Sequence, residues 1–101
     1  MEATIRKESE TKVTLILDGY FDTSVTAQTE KDVEPLYDFF DCEIVIDCSR
    51  LEYISSSGLR LLMAINQRCR ANHCSLYIKG LQEKVMDVFT TTGFTNLFEF
   101  K

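Results

Sequence analysis

A chain of 101 residues, 45% hydrophobic and 27% charged, has the composition of one globular domain, residues 1–101, and not of a disordered or fibrous protein. Its formal net charge of −5 repels nucleic-acid phosphates and anionic membrane surfaces, so neither is an expected partner. No apolar run resembles a signal peptide or reaches bilayer length, which predicts a cytoplasmic protein whose four cysteines, Cys42, Cys48, Cys69 and Cys74, stay reduced.

Residues 3 to 8 are mixed, but Val13, Leu15 and Leu17 alternate with polar neighbours up to the breaker Gly19. The pattern predicts a strand that pairs with the first segment as a hairpin. Beyond Gly19, Asp22 and Thr23 offer capping oxygens, and Val33, Leu36, Tyr37 and Phe40 follow helical spacing. Pro35 interrupts that helix and predicts a kink or a fresh first turn at Glu34.

Ile44, Val45 and Ile46 form a continuous β-branched run, which suits a central strand covered on both faces in a parallel or mixed sheet. The stretch from Asp47 to Leu59 then runs from that strand through a loop into a helix starting near Ser57. Leu61, Leu62, Ile65 and Cys69 share one face of it with Gly58, while Arg60, Gln67 and Arg70 look outward. Leu59 and Met63 fall on its flank, where they would form an apolar patch beside Ser57. Leu76 and Ile78 make another strand, ended by Gly80. Leu81, Val85, Val88 and Phe89 form a third helical stripe closed by Gly93, and Leu97, Phe98 and Phe100 return as a short final segment. The order β-β-α-β-α-β-α describes an α/β fold, helices on a mixed four- to five-stranded sheet with right-handed crossovers.

Chemistry concentrates at Ser55-Ser56-Ser57-Gly58, beyond the carboxyl end of the central strand, where open α/β sheets meet ligands and partners. One serine is explained as a helix cap; three are not. A serine hydrolase is disfavoured because the only histidine, His73, falls at the far end of the serine helix and no Gly-x-Ser-x-Gly elbow occurs. Zinc is disfavoured because the cysteine spacings do not form paired knuckles, and Cys69 and Cys48 fit the core. Free amides at a helix start leave nucleotide contact open as a side property, but no phosphate-loop pattern occurs. No enzyme activity, metal or cofactor is expected.

The stretch Leu51-Glu52-Tyr53-Ile54-Ser55-Ser56-Ser57-Gly58-Leu59 resembles the signature loop of STAS domains of the anti-sigma factor antagonist type. Gly19-Tyr20-Phe21-Asp22 is similar to the family's Gly-x-Leu-Asp turn, Ile44 to Asp47 to its central strand, and Thr92-Gly93-Phe94 through Leu97-Phe98 to its closing segment. The resemblance implies the STAS-like fold and a regulatory module that binds an anti-sigma factor that is also a serine protein kinase. It implies phosphorylation at Ser57, which ends that binding, and reversal by a serine phosphatase. The implied contact surface comprises Asp22, Thr23, Ser55, Ser56, Ser57, Gly58, Leu59 and Met63. Here Ser55 stands where the family commonly has aspartate. The alternative is a STAS-like scaffold in another signalling assembly, binding through the same face without phosphate control. The oligomeric state is left open.

Overall fold

In the computed structural model, which describes residues 1–101, five strands form one sheet in the order β1-β2-β3-β4-β5. β1 (Glu2–Ser9) and β2 (Lys12–Phe21) form the expected hairpin. β3 (Glu43–Ile54), β4 (Ser75–Lys79) and β5 (Glu99–Phe100) continue the sheet in parallel from β2. Three helices intervene: α1 (Thr26–Asp32), α2 (Ser56–Ala71) and α3 (Glu83–Thr91).

Each parallel step from β2 to β5 moves to the next neighbour in the same direction. Right-handed crossovers therefore deliver all three helices to one face of the sheet. On that face Val13, Leu15, Leu17, Ile44, Ile46, Cys48, Leu76 and Ile78 meet Leu62, Ile65 and Cys69 of α2 and Val85 and Phe89 of α3, in one core of 23 residues. Phe89 packs edge-on against Phe98 and Phe100, at ring separations of 5.8 and 6.2 Å.

The other face carries Thr4, Arg6, Thr14, Ile16, Asp47, Tyr77 and Lys79, which are mixed in polarity and mostly exposed or half-exposed. The run Ile44–Ile46 is buried as expected of a central strand covered on both faces, although the helices lie on only one of them. Val45 is still only 2% exposed, because its cross-strand neighbours Thr14 and Tyr77 lie on either side of it.

Three boundaries differ from the sequence reading. Gly19, expected as a breaker, lies inside β2 with φ of +111°, and the register shifts beside it, so it bends the strand instead of ending it. The segment Asp47 to Ile54, expected to pass from strand into loop, continues β3 alongside β2. The helix expected across Val33 to Phe40 is divided: α1 ends at Asp32 and a separate 3-10 turn spans Glu34–Asp38, with Pro35 in its first turn. Phe40 falls beyond that turn and is 60% exposed, while Val33 and Leu36 are fully buried.

Candidate functional site

The amino end of α2 is built by two cooperating turns. Ser55 is the cap residue of α2, with extended backbone, and its Oγ accepts the Gly58 amide hydrogen at 3.1 Å. Its own amide donates to the carbonyl of Phe21 at 2.8 Å, which ties the helix start to the end of β2. Asp22 caps the 3-10 turn Thr23–Val25 in the same manner, its Oδ1 accepting from the Ser24 amide and hydroxyl at 3.0 and 2.6 Å. Those bonds, the hydroxyl's first, hold the Asp22 carboxyl below the usual carboxylate range.

Gly58 fixes how closely these turns meet. A Cβ at this position would lie 2.9 Å from Ile54 Cγ1 and 3.1 Å from the Phe21 ring. The absence of a side chain lets the first turn of α2 rest directly on the core.

Ser57 lies two residues past the helix cap, within the first turn, half-buried, with its hydroxyl at the centre of a small polar cluster. Its Oγ is 3.0 Å from Ser55 Oγ and 3.1 Å from Thr26 Oγ1, and it donates to Thr23 Oγ1 at 3.4 Å. Ser57 also lines a shallow depression of about 290 Å³ with Thr26, Glu30, Arg60, Leu61 and Ala64. Arg60, one helical turn further along α2, is exposed. The first turn of α2 contains no acidic side chain of its own, so its amides and positive dipole end face the cluster without a carboxylate on the helix; Glu30, across the depression, and Asp22, tied up with Ser24, are the acids nearby. The arrangement suits an added anion.

The candidate residues from the sequence are thus partly assembled. Thr23, Ser55 and Ser57 share hydrogen bonds, and Asp22 flanks them; Ser56 and Thr23 are exposed, and Met63 is half-buried. Gly58 is buried and acts as a spacer. Leu59 is corrected: it is 1% exposed and belongs to the core, so it adds nothing to a surface patch. Its burial follows from the breadth of the packed side of α2, where Leu59, Leu62 and Asn66 are buried beside Gly58, Leu61, Ile65 and Cys69. Thr26, absent from the sequence reading, enters the cluster from 31 residues away, a contact that no local spacing encodes.

The remaining reactive groups are placed elsewhere. His73 sits at the opposite end of α2, exposed, in a turn with φ of +62°. All four cysteines are buried, and burial pushes the thiols of Cys48 and Cys69 up to about 12, so they remain protonated and inert. A larger depression of about 500 Å³ lies between Lys31, Glu34, Tyr37 and Arg68. There the Arg68 guanidinium stacks 3.8 Å over the Tyr37 ring, well away from the serines.

Comparisons with known proteins agree with this geometry. The family model described as "Mlab, STAS domain" matches residues 5–99. A candidate anti-sigma factor antagonist, BtrV of Bordetella bronchiseptica, is 30% identical over 82 residues, covering 81% of this chain and 71% of that protein. The fold is shared with a candidate anti-sigma factor antagonist from Thermotoga maritima, with a TM-score of 0.84 at 17% identity over 97% of this chain and 84% of the other. It is shared also with SpoIIAA in its unphosphorylated form, with a TM-score of 0.79 at 17% identity over 99% and 88%. SpoIIAA of Bacillus in its phosphorylated form gives 0.72 at 16% identity over 99% and 91%. From its matched length, its similarity to BtrV and its five-stranded sheet, the chain belongs to the STAS domain family, in the branch of the anti-sigma factor antagonists.

Proposed function

We propose that this protein acts in the cytoplasm as an anti-sigma factor antagonist whose partner, an anti-sigma factor with serine kinase activity, docks at the amino end of α2. Phosphorylation of Ser57 by that partner ends the complex, and a serine phosphatase restores it. The observation that carries this reading is the position of the Ser57 hydroxyl, half-buried at a helix start that has no acidic residue of its own. Ser56, Thr23, Asp22 and Met63 border it and complete the contact surface.

The chemistry of the site accommodates the modified form. A phosphate adds a charge of about −1.5 to −2 and three acceptor oxygens. It removes the proton with which Ser57 donates to Thr23, but the hydroxyls of Ser55, Thr26 and Thr23 rotate and can donate in return. Placing the anion at the helix start contributes about 0.3–1 kcal/mol in favour of the fold, so the domain stays folded. The same charge buried against a partner costs several kcal/mol, and each 1.4 kcal/mol is about tenfold in affinity. Ser55 fits this scheme as well as the aspartate common in the family: it caps the helix without setting a second negative charge beside the phosphate.

The hydroxyl contacts around Ser57 also favour a second reading, a constitutive scaffold in another signalling assembly, because they already occupy the Ser57 Oγ. Intact mass after incubation with ATP and candidate kinase partners separates the two. A gain of one phosphate in wild type but not in Ser57→Ala supports the switch. Equal phosphorylation of both moves the site elsewhere, and no phosphorylation of either, alongside retained partner binding, supports the scaffold.

A further inference from the structure

β1 is one edge of the sheet and pairs on one side only, with β2. Its outward backbone groups over Glu2–Ser9 have no strand beside them, and such an edge is a template for another strand. Its side chains divide by face. Glu2, Thr4, Arg6 and Glu8 share the open face, since Glu2, Thr4 and Arg6 pair with Asp18, Ile16 and Thr14. Ala3 and Ile5 point to the helix side, pair with Leu17 and Leu15, and are half-buried against the core.

We infer that β1 pairs antiparallel with β1 of a second copy of this chain about a two-fold axis at Thr4, joining two sheets into one. The register follows from geometry and charge. Opposed residues of an antiparallel pair point to the same face, so the axis must pass through a residue and not between two. With the axis at Thr4, Glu2 faces Arg6 of the second copy, Ala3 faces Ile5, Thr4 faces Thr4, and Lys7 meets only Met1, outside the strand. Both charged pairs are opposite in sign, and both apolar pairs prolong the core layer. With the axis at Ile5, Glu2 faces Glu8 and Ala3 faces Lys7. With the axis at Arg6, that residue faces itself and Ile5 faces Lys7. With the axis at Ala3, Glu2 faces Thr4 and loses its opposite charge. Beyond Lys7 the hairpin register shifts, which breaks the regular edge there.

Glu2 supplies the further reason. It forms no ion pair within the chain, and the residue opposite it on β2 is Asp18, a like charge. The second copy's Arg6 brings the counter-charge that Glu2 lacks. Arg6 is 61% exposed and shared only with Glu8 on its own strand. A short edge contact is small beside the roughly 1,200–2,000 Å² of stable complexes, so the pair is weak and forms as concentration rises.

Sedimentation equilibrium of the full chain, from micromolar to about 1 mM, tests this. Wild type shifts from monomer toward dimer over that range. Glu2→Arg and Arg6→Glu each place like charges opposite one another at both symmetric positions and weaken the dimer on the order of tenfold. An equimolar mixture of the two variants regains the wild-type constant, because each then offers the charge the other needs; circular dichroism verifies that both are folded. A wild type that stays monomeric throughout, variants that associate as wild type does, or a mixture no better than its components each overturn the inference.

Discussion

The two ends of α2 are built from similar polar residues and serve opposite ends. At the carboxyl end the closing turn and the Asn72 side chain are held by backbone partners. The Cys74 amide donates to the Cys69 carbonyl and the His73 amide to that of Arg70, with His73 in the left-handed region, which closes the last turn in a Schellman arrangement. The Asn72 side chain donates to the carbonyls of Tyr37 and Phe39, at 2.9 and 3.3 Å, while its own carbonyl accepts the Asp41 amide hydrogen at 3.1 Å. Arg68 and Arg70 complement the negative end of the dipole. At the amino end the hydroxyls of Ser55, Ser57, Thr23 and Thr26 mainly hold one another, and these bonds reverse direction by rotation. One end is anchored by amide and carbonyl groups that have no alternative; the other keeps polar groups that can turn toward a newcomer.

Mutations can break this contrast or sharpen it, and the largest effect belongs to the layer beneath both ends. Leu59→Ala removes a side chain that is 1% exposed and is expected to cost about 2–5 kcal/mol in urea unfolding; a loss under 1 kcal/mol would return Leu59 to the surface. Asn72→Ala strands two carbonyls at the anchored end and is expected to cost about 1–3 kcal/mol while leaving partner affinity unchanged. Ser55→Ala removes the cap and should cost about 1 kcal/mol, seen as a melting shift of about 4–8 °C in a domain of this size. Ser57→Asp is expected to raise stability by about 0.3–1 kcal/mol, through the helix dipole, while lowering partner affinity at least tenfold. If Ser57→Asp instead destabilises the fold and spares binding, the two ends do not differ as described.

Much of this was legible in the residues, where hydrophobic period and turn chemistry agree. The alternation of Val13, Leu15 and Leu17, the β-branched run at Ile44–Ile46 and the Gly93 stop of α3 all specify their elements locally. The second half of β3 was hidden because Asp47, Ser49, Arg50 and Glu52 read as a loop. They lie along a strand with one face bare and with register shifts against β2, where polar residues carry no penalty and alternation is lost. Leu59 was misplaced because a single stripe was assumed for a helix that packs on more than one neighbour. The serines and Thr23 could be placed on one surface from the sequence, but Thr26 could not, and the hydroxyl contacts of Ser57 with both threonines join residues more than thirty positions apart, which only the tertiary fold does.

The contact of Gly58 with Phe21 and Ile54 has a consequence for recognition. A turn seated on the interior without slack offers its visitor a preformed shape. The free energy of mutual adjustment then falls mainly on the visiting molecule, and a cavity opened beneath the turn by Phe21→Ala would be felt as a slower association before any residue of the contact had changed.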